Sequence, residues 1–270
     1  MSPRALPKFP SLSRQDGTLA ATFEEKVERL RETHFPAPLG ADLEDIAEVE
    51  YLSPMPGGGD LTEAEVYSSM RRPSQDKAPG INGIPDRFLR AVYSELEEEI
   101  RHLFQGCFEI GYHPRKFKEA NTVILKKPQK ENYADPNSYR PIALLDTLGK
   151  MFETVIAARL RDCAEANNLL PEEQTGARQG RSVETALETI TDAVHTVWGM
   201  GKRNVASLLS LDVAGAFDHV SHSRLLHTMK MKRVPERIVR WTASFLTERA
   251  TSITLGRKTS RIEIVEIGIP

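Results

Sequence analysis

Two kinds of hydrophobic patterning alternate along this chain. Apolar residues spaced three and four apart predict amphipathic helices over 87–110 and 148–169, the second with Met151, Val155, Ile156 and Leu160 as its core stripe. A third helix is predicted over 183–197. Two Thr-x-x-Glu capping boxes, Thr22 with Glu25 and Thr62 with Glu65, predict helix starts whose helices reach about 34 and 70. Ser221 caps a helix over 221–230, and Pro235 opens another through 245. Short apolar runs read as strands instead. Residues 205–211 predict a buried strand, 122–128 and 138–145 a hairpin across a polar loop, and 251–255 with 262–267 a strand pair around a basic turn. Residues 1–19 are rich in Pro and Ser without periodicity, and a disordered lead-in is expected there.

Together these elements predict an α+β fold, helix-rich around a short antiparallel sheet. At 270 residues and 40% hydrophobic, the chain can bury a core as one large domain or two small ones. It shows no secretory signal and no apolar run of membrane length, so an intracellular setting, cytoplasm or nucleus, is expected. Cys107 and Cys163 are isolated on predicted helices and read as buried thiols rather than a disulfide or zinc site.

Net charge is −2, but its distribution is uneven. Residues 41–65 hold eight acids and no Lys or Arg, whereas 221–261 hold ten Lys or Arg and two acids. A basic block of that size suits phosphate tracking through counterion release, and a solvated helix surface accounts for it equally well. Between 112 and 140 there are seven Lys or Arg against three acids, so the predicted hairpin brings Lys126, Lys127 and Arg140 near one another. Arg offers a planar fork to phosphate oxygens and Lys a compact point charge.

Candidate chemistry centres on residues 208–220, Leu-Leu-Ser-Leu-Asp-Val-Ala-Gly-Ala-Phe-Asp-His-Val. Asp212 stands where the predicted strand gives way to a turn, followed by Phe217 and a second acid, Asp218. A carboxylate there either closes a turn, caps a helix or ligates a cation such as Mg²⁺. His219 and His222 flank the turn without a ligand partner in register and read as surface residues.

Asp212 followed by Ala216-Phe217-Asp218 resembles the first palm motif of reverse transcriptases, in the form found in LINE-type, non-LTR retrotransposons. Residues 77–85, Lys-Ala-Pro-Gly-Ile-Asn-Gly-Ile-Pro, resemble the family's opening motif, with Ile81 and Asn82 replacing its Pro-Asp pair. Residues 174–182, Gln-Thr-Gly-Ala-Arg-Gln-Gly-Arg-Ser, resemble a further motif with Ala177 in place of Phe. Residues 266–270 resemble the start of the second palm motif.

The resemblance implies right-hand polymerase fingers over 72–204 and a truncated palm over 205–270, behind a disordered lead-in at 1–20 and an N-terminal helical extension at 21–71. It implies RNA-templated DNA synthesis from deoxynucleoside triphosphates on a DNA primer, with two Mg²⁺ ions and no membrane. Asp212 would be the catalytic carboxylate and, with the carbonyl of Val213, a metal ligand. Lys127 and Arg140 would contact the nucleotide phosphates, Val213, Phe217 and Gln179 the rest of the nucleotide, and Arg178 and Arg181 the template. The family's remaining acids come from a Tyr-x-Asp-Asp segment, and no Asp-Asp pair occurs in these residues. The expectation is therefore a fragment that does not polymerise alone. A degenerate or RNA-binding remnant and a phosphohydrolase built on Asp212 and Asp218 stand as alternatives, and oligomeric state is left open.

Overall fold

The computed structural model describes residues 9–36, 40–57, 59–71, 77–201, 204–213, 215–217 and 219–265. They divide into two compact units: Met1–Leu160 with Ala216–Pro270, and Arg161–Gly215.

Alternation builds the sheet of the first unit. β3, Glu119–Lys126, turns Ala120, Thr122 and Ile124 inward and the residues between them outward. β4, Tyr139–Leu144, pairs antiparallel with it from Asn121↔Leu144 to Lys126↔Tyr139. Their connection is folded by Asp135, whose carboxylate accepts the Asn137 N–H at 2.9 Å. On the other side of β3 lies β5, Arg249–Leu255, in parallel register from Glu119↔Ala250 to Val123↔Thr254. β6, Lys258–Thr259, and β7, Glu263–Val265, pair antiparallel with β5. The α+β class stands as expected, but the sheet is mixed. A parallel neighbour requires a long crossover, which local patterning does not record.

The N-terminal residues also depart from expectation. In place of a disordered lead-in, β1, Leu12–Ser13, and β2, Leu19–Ala20, form a hairpin with Leu12 and Ala20 fully buried. They pack with Val27 and Leu30 of α1, Phe23–His34, against Ile124, Tyr139, Ile253 and Leu255. Two-residue strands are too short to leave a periodic signal. The lead-in's residues 1–8 lie outside the described residues.

Further helices of this unit are α2 (Glu63–Arg71), α3 (Asp86–Ile110), α4 (Arg115–Lys118), α5 (Thr147–Ala166, whose last turns belong to the second unit), α7 (His222–Met231) and α8 (Glu236–Leu246). α1 carries the capping box predicted at Thr22, with Thr22 and Glu25 exchanging both hydrogen bonds. α3 ends at Gly111, whose φ of +66° suits glycine and where a Cβ would sit 2.5 Å from the Arg240 Cβ. Arg159 on α5 donates to the Glu65 carboxylate and to the carbonyls of Gly59 and Asp60, while Gln105 on α3 accepts the Leu61 N–H at 2.7 Å. These bonds fasten the entry to α2.

α3, α5 and α8 meet through aromatic rings. Phe104 stacks on Phe152 at 4.7 Å between centroids, and Trp241 lies 5.5 Å from Phe152 and 5.0 Å from Phe245. Buried at their centre is His113, with Nε2 3.7 Å from Oε1 of Glu153. Burial, with help from Arg249 and Lys118, pushes the imidazole pKa down to about 3. Burial pushes the Glu153 carboxyl up to about 7 against the pull of Arg249 and Lys150.

The second unit contains α6, Val183–Gly199, opened by Ser182, whose hydroxyl accepts the Thr185 N–H at 3.3 Å. None of its residues is buried.

Glu153 generates a pH prediction. Folded, it holds its proton to about 7, whereas an ordinary carboxyl releases it near 4.5, so its stabilisation is complete below the lower value and declines as pH rises through the window between them. Glu153→Gln removes that decline. Its gain in urea midpoint over wild type should be larger at pH 8 than at pH 5; equal gains would exclude Glu153 as the cause.

Candidate active site

The β3–β4 hairpin sorts its cations by face. Leu125 pairs with Arg140, and Lys127, two residues beyond Leu125, shares that face by alternation. Lys127 continues the ladder, its N–H donating to Ser138 at 2.9 Å, and its carbonyl accepts the Tyr133 hydroxyl at 2.9 Å. Lys126 is occupied differently, with its ammonium 4.7 Å from the Tyr133 ring centroid. Arg140 is exposed and Lys127 half-buried. The hairpin thus presents an Arg fork and a Lys on one face.

The turn at 77–85 is seated on the far end of that hairpin. Gly80 touches the chain where β4 passes into α5, so that a Cβ there would lie 2.5 Å from the Asp146 backbone nitrogen and 2.6 Å from the Leu145 carbonyl carbon. The Asp146 carboxylate accepts the Asn82 N–H at 3.3 Å, and Thr147 donates to the Ile84 carbonyl at 3.1 Å. Burial pushes the Asp146 pKa up, while the Asn82 bond pulls it down. Sequence reading passes over Asp146, although an Asp immediately before a helix is a recognisable capping signal.

In the second unit, Arg178 is held inside its own loop. Its guanidinium meets the Glu165 carboxylate at 2.6 and 3.0 Å and donates to the carbonyls of Pro171, at 2.8 Å, and Gln174. A two-pronged arginine of this kind fixes a loop. Glu165 is pulled below the usual carboxylate range by that contact; no local motif marks it in sequence. Gln179 is exposed and Arg181 half-buried beside the fixed segment.

Asp212 is exposed, and Val213 retains 72% of its surface. The strand predicted over 205–211 does not form: 204–213 carries no regular structure, and Val205, Leu208, Leu209 and Leu211 are each more than 70% exposed. A strand needs a ladder partner for its N–H and C=O groups, and none pairs here among the described residues. Phe217, assigned to the first unit, is 72% exposed at the end of a turn in which Gly215 takes φ +63°. Asp218 and residues 266–270 lie outside the described residues. Among the described residues no three His, Cys, Asp or Glu gather as a metal site. No helix among them is long and apolar enough to cross a membrane. Lys127 and Arg140 thus fall on one face of the hairpin by alternation, while Asp212, Val213 and the 174–182 loop belong to the other unit.

Gly80 is open to a direct test. Gly80→Ala drives a methyl into the Asp146 carboxylate and into the fixed backbone of Leu145 and Asp146 beside it, and should lower stability by about 1–3 kcal/mol, measured by chemical denaturation. An unchanged midpoint would show that the turn is not seated on Asp146.

A family model described as reverse transcriptase (RNA-dependent DNA polymerase) matches residues 124–269. The Pol polyprotein of the type-1 retrotransposable element R1 of Bradysia coprophila is 33% identical over 215 residues, covering 78% of this chain and 20% of the relative. The RNA-directed DNA polymerase from mobile element jockey of Drosophila melanogaster is 28% identical over 87% of this chain and 25% of the relative. A probable RNA-directed DNA polymerase from transposon X-element of the same fly is 30% identical over 76% of this chain and 22% of the relative. The chain therefore spans a quarter or less of the length of these relatives. With the match extending over more than half of its residues, the chain belongs to the reverse transcriptase family, on its non-LTR retrotransposon side.

Proposed function

We propose that this chain supplies the fingers and the first part of the palm of an RNA-directed DNA polymerase that extends a DNA primer on an RNA template from deoxynucleoside triphosphates. The observation that carries the proposal is that Arg140, paired with Leu125, and Lys127, two residues beyond Leu125, fall on one hairpin face by alternation within a reverse transcriptase match. Arg140 grips phosphate oxygens through its fork, and Lys127 neutralises charge beside it. Phe217 offers an exposed ring to the sugar, where its bulk excludes a 2′ hydroxyl. Gln179 faces the nucleotide, and Arg181 the template from a loop that Arg178 holds in shape.

Asp212 and the Val213 carbonyl are hard oxygen donors of the type Mg²⁺ prefers. One carboxylate and one carbonyl do not complete a two-ion site, and among the described residues no three His, Cys, Asp or Glu gather as one. When bound, Mg²⁺ stabilises charge on phosphate oxygens. Asp212 and Val213 are the residues of this chain that would hold it.

The purified 270-residue chain should bind a labelled deoxynucleoside triphosphate, and Arg140→Ala should weaken that binding about tenfold or more, since a hydrogen bond to a charged group is worth about 1.5–3 kcal/mol. It should not extend a primer on an RNA template. Unchanged affinity in Arg140→Ala sinks the phosphate assignment, and extension that Asp212→Ala abolishes sinks the partial-site assignment.

A further inference from the structure

The acidic stretch and the basic block, read separately in sequence, meet in the first unit. Residues 40–57 run as an irregular strap with a single 3₁₀ turn, Glu44–Ile46, and none of them among those described is buried. The strap lies along α7. Arg224 meets the Asp45 carboxylate, with Nη1 at 2.7 Å, and also donates to the Asp42 carbonyl. Three residues on, His227 Nδ1 lies 3.0 Å from the Tyr51 hydroxyl; three further, the Lys230 ammonium sits 5.1 Å from the Tyr51 ring centroid. Arg233 donates to the Ser53 carbonyl at 2.9 Å and accepts the Met55 N–H at 2.8 Å. Arg224 holds the Asp45 carboxyl below the usual carboxylate range.

Arg224 and Lys230 lie on one face of α7 with His227 between them at helical spacing, and the two cations form a basic row there. A row of that kind is the footprint of a phosphate backbone. Its present cover is held by one exposed ion pair, which salt screens, by ring contacts and by a few exposed hydrogen bonds, with no buried side chain of the strap to anchor it.

We infer that the strap is a reversible, autoinhibitory cover, and that the α7 row beneath it binds the phosphate backbone of nucleic acid when the strap lifts. This rests on the nucleic-acid reading of the proposed function and adds to it a contact surface and a competitor within the chain. Template or primer phosphates and the strap carboxylates compete for the same cations. Apparent affinity is then the affinity of the open form reduced by the fraction open.

The test uses the full chain and a short fluorescent RNA–DNA hybrid, read by anisotropy at low salt. Asp42→Asn with Asp45→Asn should bind the hybrid on the order of two- to fivefold more tightly, as expected from removing an exposed ion pair that favours closure. Glu95→Gln with Glu98→Gln removes the same charge from the exposed face of α3 and should change affinity far less. Adding Arg224→Gln and Lys230→Gln to the strap variant should abolish the gain. In the wild-type complex, amides of 41–55 should exchange faster with deuterium while those of α7 slow. Unchanged affinity in the strap variant, an equal gain in the α3 control, or a gain that survives loss of Arg224 and Lys230 overturns the cover. Failure of every form to bind overturns the nucleic-acid reading itself, and the cover with it.

Discussion

The parallel pairing of β3 with β5 is the contact on which the first unit depends. It joins residues 129 apart in sequence through the buried hydroxyls of Thr122 and Thr251, 2.7 Å from each other. A polar pair at that depth is tolerated because each satisfies the other, and Thr251 also reaches the Ala120 carbonyl. Once β5 is in place, Ile253 and Leu255 complete the apolar floor on which the N-terminal hairpin and α1 rest. Arg31 of α1 then reaches the carbonyls of Thr251 and Arg261, both at 3.1 Å. The hairpin that carries Lys127 and Arg140 is thereby braced from both ends of the chain.

Local signals were legible and distant ones were not. Capping boxes, the hairpin at 122–145 and the long amphipathic helices depend on residues a few positions apart, and their ends fall within about three residues of where the pattern places them. The parallel neighbour of β3 leaves no trace in its own residues. Nor does the burial of Leu12 and Ala20, which follows from a sheet assembled more than 100 residues later. The 205–211 segment errs in the opposite direction: its composition is that of a strand, yet composition cannot supply a partner. At the candidate site, motif residues were readable by type and order; of the groups that hold them, Asp146 under Gly80 left only a helix-start signal and Glu165 beside Arg178 left none.

Electrostatics divides the molecule by depth. In the interior, desolvation joined by Arg249 and Lys118 keeps His113 neutral, while at Glu153 desolvation outweighs the pull of Arg249 and Lys150 and raises the carboxyl's hold on its proton. At the surface, charges remain ionised and find partners: Glu165 with Arg178, Asp45 with Arg224, Glu65 with Arg159. A net charge of −2 is the residue of these cancellations rather than a measure of the field any one face presents.

The fastening of Arg159 to Gly59, Asp60 and Glu65 bears on how the neighbouring strap behaves in time. The strap runs from α1, packed on the sheet, to this fastening, so both of its ends are held and its release is the bowing of a loop and not a dissociation. A moored segment faces its own docking surface at an effective concentration that short flexible tethers set in the millimolar range. Re-closure is then independent of how dilute the protein is, and an incoming polymer must outcompete a ligand that never leaves the neighbourhood.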